Sequence, residues 1–251
     1  MEEHSLETFQ QACALPVALR ARFFQKQDRE AIRRICADTG FLGHPIDPVF
    51  EDRELFADYL TRYYTDWEPE STLVCERDGQ VVGYLTGCRK PIRRFLFHLL
   101  YNPYLFFRAF YRWWAWPYRS STRRYLRWVL CKGWREVPYA PRGVPHFHIN
   151  LLPQARNVAS TRALIDKFLA YLVASGEKSV YGQVVTWGDR RSEKLFLRYG
   201  FRVLDRRELT KYRAYVKSPV FLCTVWKDLA KNPRLYGSCS HRRPTTAGAQ
   251  P

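Results

Sequence analysis

The sequence predicts a mixed α/β fold, a central sheet flanked by helices. Three observations predict it. Short apolar runs alternate with stretches of helical periodicity along most of the chain. Two of the short runs, 72–76 and 80–86, flank Arg77-Asp78-Gly79, and Asp-Gly between apolar runs is a strong hairpin signal. The stretch from His146 reads as a strand that breaks at Pro153 and opens directly into a helix.

The remaining elements follow in order. Residues 17–24 alternate as a first strand. Asp28 is placed to cap a helix over 29–37, in which Ile32 and Ile35 share a face. Gly40, Gly43 and Pro45 end it. A second helix over 52–64 carries Leu55, Phe56, Tyr59, Leu60 and Tyr63 at helical spacing. After the hairpin, residues 89–145 break the style. A strand over 147–152 and a helix over 161–175 resume it, the helix with a wide apolar face and Gly176 as its cap. A strand over 180–186, a helix over 190–199 stopped by Gly200, and strands over 202–207, 211–216 and 220–226 complete the pattern. The expected organisation is an extension over 1–16, one domain over 17–230 with an insertion at 89–145, and a disordered tail over 231–251.

Composition narrows the function classes. The chain has 251 residues and 46% hydrophobic content, which excludes a disordered protein. Its net charge of +17 points to an anionic partner: nucleic acid, acidic membrane, acidic carrier protein or phosphorylated cofactor. The seven cysteines are scattered, odd in number and show no CxxC pair, which argues against a disulfide framework and a zinc site. A reducing cytoplasmic compartment and no metal are expected. The first residues are acidic and lack a long apolar run, so they do not read as a secretory signal.

The candidate chemistry starts at Pro153. A helix N-terminus offers unpaired N–H groups and the positive end of a dipole, so a strand, break and helix in succession make an anion site. Residues Arg156, Asn157, Val158, Ala159, Ser160 and Thr161 would form it.

Several stretches together resemble the GNAT N-acetyltransferase superfamily. Thr72 to Gly87 is similar to the family's hairpin. His148-Ile149-Asn150-Leu151-Leu152-Pro153 resembles its fourth strand. The spacing of Arg156, Ala159 and Thr161 resembles its pyrophosphate loop, with both glycine positions substituted. Asp189 to Phe201 is similar to its last helix, and Gly200 and Phe201 match the end. The resemblance implies a GNAT fold, a mixed sheet whose fourth and fifth strands splay apart. It implies acetyl-CoA or a longer acyl-CoA as co-substrate. Leu151 and Leu152 would pair with the pantetheine arm, residues 156–161 would wrap the pyrophosphate, and Asp189 would stand where the family has a cofactor-contacting asparagine. The reaction implied is transfer of the acyl group to an amine acceptor by direct attack in a ternary complex. The family's acid is a tyrosine, and its position here is Phe196, which has no proton to give. Tyr199 is the neighbouring hydroxyl. His148, which shares a strand face with His146 and Asn150, and Glu76 on the hairpin are the candidate bases. The alternative is a CoA-binding or membrane-docking module without turnover.

Residues 89–135 hold twelve Lys or Arg and no Asp or Glu, interleaved with Trp113, Trp114, Trp116, Trp128, Trp134 and many Phe and Tyr. The apolar run 95–107 is too short to span a bilayer and is interrupted at Asn102-Pro103. Arg beside Trp suits a bilayer interface, which would make the protein peripheral at the cytoplasmic membrane face. A lid or homodimer surface over the acceptor pocket stays open as an alternative, and nucleic acid is the least favoured reading.

Overall fold

The computed structural model describes residues 19–115, 117–188 and 197–230. Seven strands form one sheet: β1 (Arg20–Phe23), β2 (Thr72–Arg77), β3 (Gln80–Cys88), β4 (His146–Leu151), β5 (Ser179–Trp187), β6 (Arg202–Glu208) and β7 (Val220–Asp228). Their spatial order is β1-β2-β3-β4-β5-β7-β6. Neighbours run antiparallel except β4 and β5, which are parallel. Asp78 and Gly79 join β2 to β3 with φ of 51° and 74°, the positive pair that lets a two-residue turn match the strand twist.

Among the described residues, five α-helices accompany the sheet: α1 (Arg29–Thr39), α2 (Arg53–Arg62), α3 (Pro91–Ala115), α4 (Ser120–Cys131) and α5 (Val158–Ala174). Period two sorts the strand residues between the two faces. Leu73, Leu85, Phe147, Leu151, Val180 and Val225 pack with Leu164, Phe168 and Leu172 of α5 in one core. Val74 and Tyr84 face the other way, onto Ile32, Ile35, Leu55 and Phe56 of α1 and α2. Phe168 fits only because Gly87 has no side chain, since a Cβ there would stand 2.5 Å from the Ser71 carbonyl oxygen and nearer still to the Phe168 ring.

The insertion between β3 and β4 is helical. Phe97, Tyr101, Leu105 and Ala109 of α3 turn inward at helical spacing and pack on the α2 side of the molecule. Ile92, Phe95, Leu99, Phe106, Phe107, Phe110 and Trp114 turn outward and are exposed, Trp114 to 83%. The Asn102-Pro103 break in the apolar run does not break the helix: α3 continues through Pro103, which is exposed and removes only one intrahelical donor.

Three further expectations are corrected. Residues 211–216 form no strand. Thr210–Tyr212 is a 3-10 turn in the β6–β7 connection, because Leu209, Tyr212 and Val220 bury together against Trp128 of α4. Asp28 does not cap α1. Its carboxylate accepts from Arg22 at 2.7 and 2.8 Å and from the Gln25 amide at 2.7 Å. The helix after Pro153 starts at Val158 rather than 161, since Asn157 supplies its cap. The extension over 1–16, most of the helix expected over 190–199, Trp116 and the tail over 231–251 lie outside the described residues.

Candidate active site

The β4–β5 ladder is two pairs long, His146↔Tyr181 and Phe147↔Gly182, and the strands then part. Register fixes what this opens. The Leu152 N–H donates to Val82 O at 2.9 Å, and the Tyr181 N–H to Pro145 O at 3.0 Å. Ladder bonds alternate along an antiparallel strand, so His148, Asn150 and Leu152 turn their backbone groups to β3 while Ile149 and Leu151 turn theirs to the gap. Leu152 is therefore a correction, because its N–H is engaged by β3. Ile149 is the position that sequence reasoning missed, and strand register is the signal that finds it. The Leu151 carbonyl accepts from Arg156 Nε at 2.9 Å.

The gap leads into a cleft of about 380 Å³ on the α1–α2 side of the sheet. His148, Asn150, Tyr64, Tyr84, Arg94 and Arg156 line it. Asn150 Nδ2 donates to the Tyr84 hydroxyl at 2.8 Å. His146 is buried, with Nε2 3.0 Å from the Tyr64 hydroxyl and its ring stacked on Tyr181 at 5.2 Å. The His148 ring stands 5.5 Å from that of His146. Burial first, then the Arg94 charge, pushes His148 down to about 4 and His146 well below the ordinary histidine range. Both imidazoles are neutral at pH 7, and His148 at the cleft wall can accept a proton. Cys36 also lines the cleft, but burial pushes its thiol up to about 12, so it is no thiolate nucleophile.

At the other end of β4, Asn157 caps α5. Its Oδ1 accepts from the Ser160 amide at 2.7 Å and the Ser160 hydroxyl at 2.9 Å. The Thr161 hydroxyl donates to Asn157 O at 3.0 Å, and the Thr161 amide to the same oxygen at 3.2 Å. Ser160 and Thr161, both expected to touch the cofactor, thus serve the helix itself, and Ser160 is fully buried. The Val158 and Ala159 amides have no acceptor among the described residues and stand at the positive end of α5. Arg156 lies beside them. Its guanidinium donates to the carbonyls of Leu151 and Gly43 and has no carboxylate partner among the described residues.

Two proposed catalytic residues lie elsewhere. Glu76 accepts from Arg22 Nε at 2.6 Å on the β1–β2 ribbon, outside the cleft, so its carboxylate holds the sheet edge and is no base. The Tyr199 hydroxyl points to Val158 O at 3.5 Å, at the mouth of α5 and not beside His148, so it is no acid for a reaction there. Burial, with Asp166 adding, raises its pKa. Asp189 and Phe196 lie outside the described residues. Arg94 and His98, which α3 carries into the cleft, were missed. Their i,i+4 spacing within the inward stripe was the available signal. Among the described residues no group of three His, Cys, Asp or Glu is placed to hold a metal ion.

The overall fold is shared with solved structures. The crystal structure of SsHAT matches with a TM-score of 0.59 at 23% identity, over 85% of this chain and 100% of that one. The crystal structure of an N-acetyltransferase from Staphylococcus aureus Mu50 matches with a TM-score of 0.50 at 15% identity, over 84% of this chain and 99% of that one. The chain has the GNAT fold. No protein-family model matches the sequence, and no curated protein does. Within the GNAT fold, the cleft described above is the space between the splayed strands, and Arg94 and His98 of α3 form part of its wall.

Proposed function

We propose that the protein is an N-acyltransferase that takes an acetyl or longer acyl group from acyl-CoA and passes it to an amine. One observation carries the reading: β4 and β5 part to leave the backbone of Ile149 and the Leu151 N–H open along a cleft. That cleft runs from Arg156, which precedes the free Val158 and Ala159 amides by two and three residues, to His148. The amides and Arg156 suit the CoA pyrophosphate. The open strand backbone suits the amides of the pantetheine arm and gives N–H groups to polarise the thioester carbonyl. The amine attacks that carbonyl carbon directly. The C–N bond forms, the C–S bond breaks, His148 takes the amine proton and the thiolate is protonated by water. The protonated Cys36 thiol supports direct attack over an acyl-enzyme.

Thermal shift with acetyl-CoA, longer acyl-CoAs and free CoA tests the cofactor site. Stabilisation that weakens in Arg156→Glu is expected, and no shift with any thioester would overturn the reading. Thiol release with a panel of amines then tests turnover. Sustained CoA binding without release on any amine would favour the rival, a CoA-binding module.

The insertion supports a location for this chemistry. Its outer face is apolar, its residues 89–135 carry twelve basic and no acidic side chains, and no described helix is long and apolar enough to cross a membrane. These features suit peripheral binding to an anionic bilayer, such as the cytoplasmic face of the cell membrane. Co-sedimentation with anionic but not neutral vesicles is expected. A homodimer that buries this face, with no vesicle binding, would sink the membrane reading.

A further inference from the structure

We propose that Arg94 anchors an anionic group carried by the acceptor, so that the substrate is an amine bearing its own carboxylate or phosphate. This rests on the acyltransferase reading. Three arginines of α3 point inward: Arg94, Arg108 and Arg112. Two of them reach carboxylates, Arg108 to Asp58 at 2.6 Å and Arg112 to Asp52 at 2.5 Å. Arg94 reaches none. Its Nε is buried without a hydrogen-bond partner, and no Asp or Glu among the described residues lines the cleft. The acids near the start of α3 are engaged. Glu68 accepts from the Ser71 hydroxyl at 2.7 Å and the Arg89 amide at 2.5 Å, and Glu70 from Lys90 Nζ at 2.8 Å.

The groups around the guanidinium carry no charge to offset it. They are the Tyr59, Tyr64 and Tyr181 hydroxyls, the Cys88 thiol and the neutral imidazoles of His98, His146 and His148. A guanidinium withdrawn from water without a counter-charge destabilises the free protein, and a bound anion supplies what is missing. The planar fork of Arg94 fits two oxygens of a carboxylate or phosphate in parallel bonds.

Position assigns that anion to the acceptor rather than to CoA. Arg94 neighbours His146 at the start of β4, and Arg156 holds Leu151 at its end. Five residues of strand separate the two, roughly 17 Å at about 3.3 Å per residue. With the CoA phosphates at Arg156 and α5, Arg94 lies beyond the thioester, on the side from which the amine enters. His98, one helical turn further along α3, lines the same cleft wall. Anion binding also removes part of the positive field that disfavours protonation of His148, the group that must take the amine proton.

The test compares wild type with Arg94→Gln on matched amines and acetyl-CoA: an amino acid against its methyl ester, and phosphoethanolamine against ethanolamine. The acetyl-CoA thermal shift is measured first in both proteins and is expected to be equal. Wild type should favour the anionic member of at least one pair by tenfold or more in kcat/KM, and Arg94→Gln should erase that preference through KM. Equal kcat/KM for charged and neutral members in wild type, or a preference that survives in Arg94→Gln, would overturn the proposal. If no amine turns over, stabilisation by the amino acid or phosphoethanolamine alone decides. Stabilisation present in wild type and absent in Arg94→Gln upholds the anion site although the acyltransferase reading fails, and its absence in wild type overturns both. Folding provides a separate check: Arg94→Met should raise the Tm of the free protein by a few degrees, whereas Arg108→Met should lower it. Equal lowering by both would show Arg94 to be a structural partner and would overturn the proposal.

Discussion

In the framework of the sheet with α1, α2 and α5, apolar side chains turn inward and several arginines meet carboxylates, among them Arg22 with Asp28 and Glu76, and Arg29 with Asp66. In α3 the arrangement is different. Inward positions mix aromatic residues with Arg94, Arg108 and Arg112, while the outward face is almost wholly apolar. A helix whose outer face is apolar gains nothing from water on that side. The framework closes on itself, whereas the insertion leaves Arg94 without a carboxylate within and an apolar face exposed without, the two features on which the proposals above rest.

The sharpest way to break this comparison is at the seam. Asp58 is buried between Arg33 of α1 and Arg108 of α3. Asp58→Ala leaves Arg108 without its carboxylate and Arg33 with Glu54 and Glu30 alone, and should cost about 3 kcal/mol by denaturant unfolding. A loss comparable to an exposed pair would show that the insertion is not tied to the framework there.

The next effect is reversible. His98, His146 and His148 are all held below the ordinary histidine range, by burial first and by Arg94 second. Between about pH 6.5 and about pH 4 the unfolded chain binds protons at these positions that the native protein does not. Stability is therefore fully present above that window and falls as pH falls through it. Thermal unfolding from pH 7 to pH 5 measures the slope, and His148→Gln should make it shallower. A flat profile over this window would mean that the cleft is hydrated enough to protonate its histidines.

Asn157→Ala removes the cap that orders the start of α5 and should cost about 1 kcal/mol. It should weaken acyl-CoA binding more than it weakens the fold, read as a smaller thermal shift at equal thioester concentration. The smallest effect on stability belongs to the outer face. Phe107→Ser with Trp114→Ser should change unfolding by no more than about 0.5 kcal/mol and yet abolish binding to anionic vesicles. Binding that persists would leave the basic charge of the insertion as the whole attraction.

The parts legible in the sequence were those whose local chemistry dictates geometry. Asp78-Gly79 demands a hairpin, and Pro153 demands a strand end before a helix, although the Asn157 cap that fixes where that helix starts was missed. The cleft face of β4 was also legible, because His146, His148 and Asn150 follow from period two. What escaped depends on distant partners. Glu76 looks catalytic until Arg22 pairs with it across the sheet. Residues 211–216 alternate like a strand, but Tyr212 is drawn into a turn by Trp128 of an insertion that no local pattern places there. Leu152 and Ile149 exchange roles because a single residue of register reverses which backbone groups face the gap. Arg94 looks like one of twelve surface charges until the fold removes its water.

Pro103 sets a limit on how α3 can use its outer face. Lacking an N–H, it leaves the Leu99 carbonyl without its helical donor, on the exposed side of the helix. That oxygen has to be hydrated, and hydrocarbon offers no donor. On the proposed bilayer surface, α3 would therefore lie at the depth where phosphates and water still reach its middle turn, with rings dipping below and backbone staying wet.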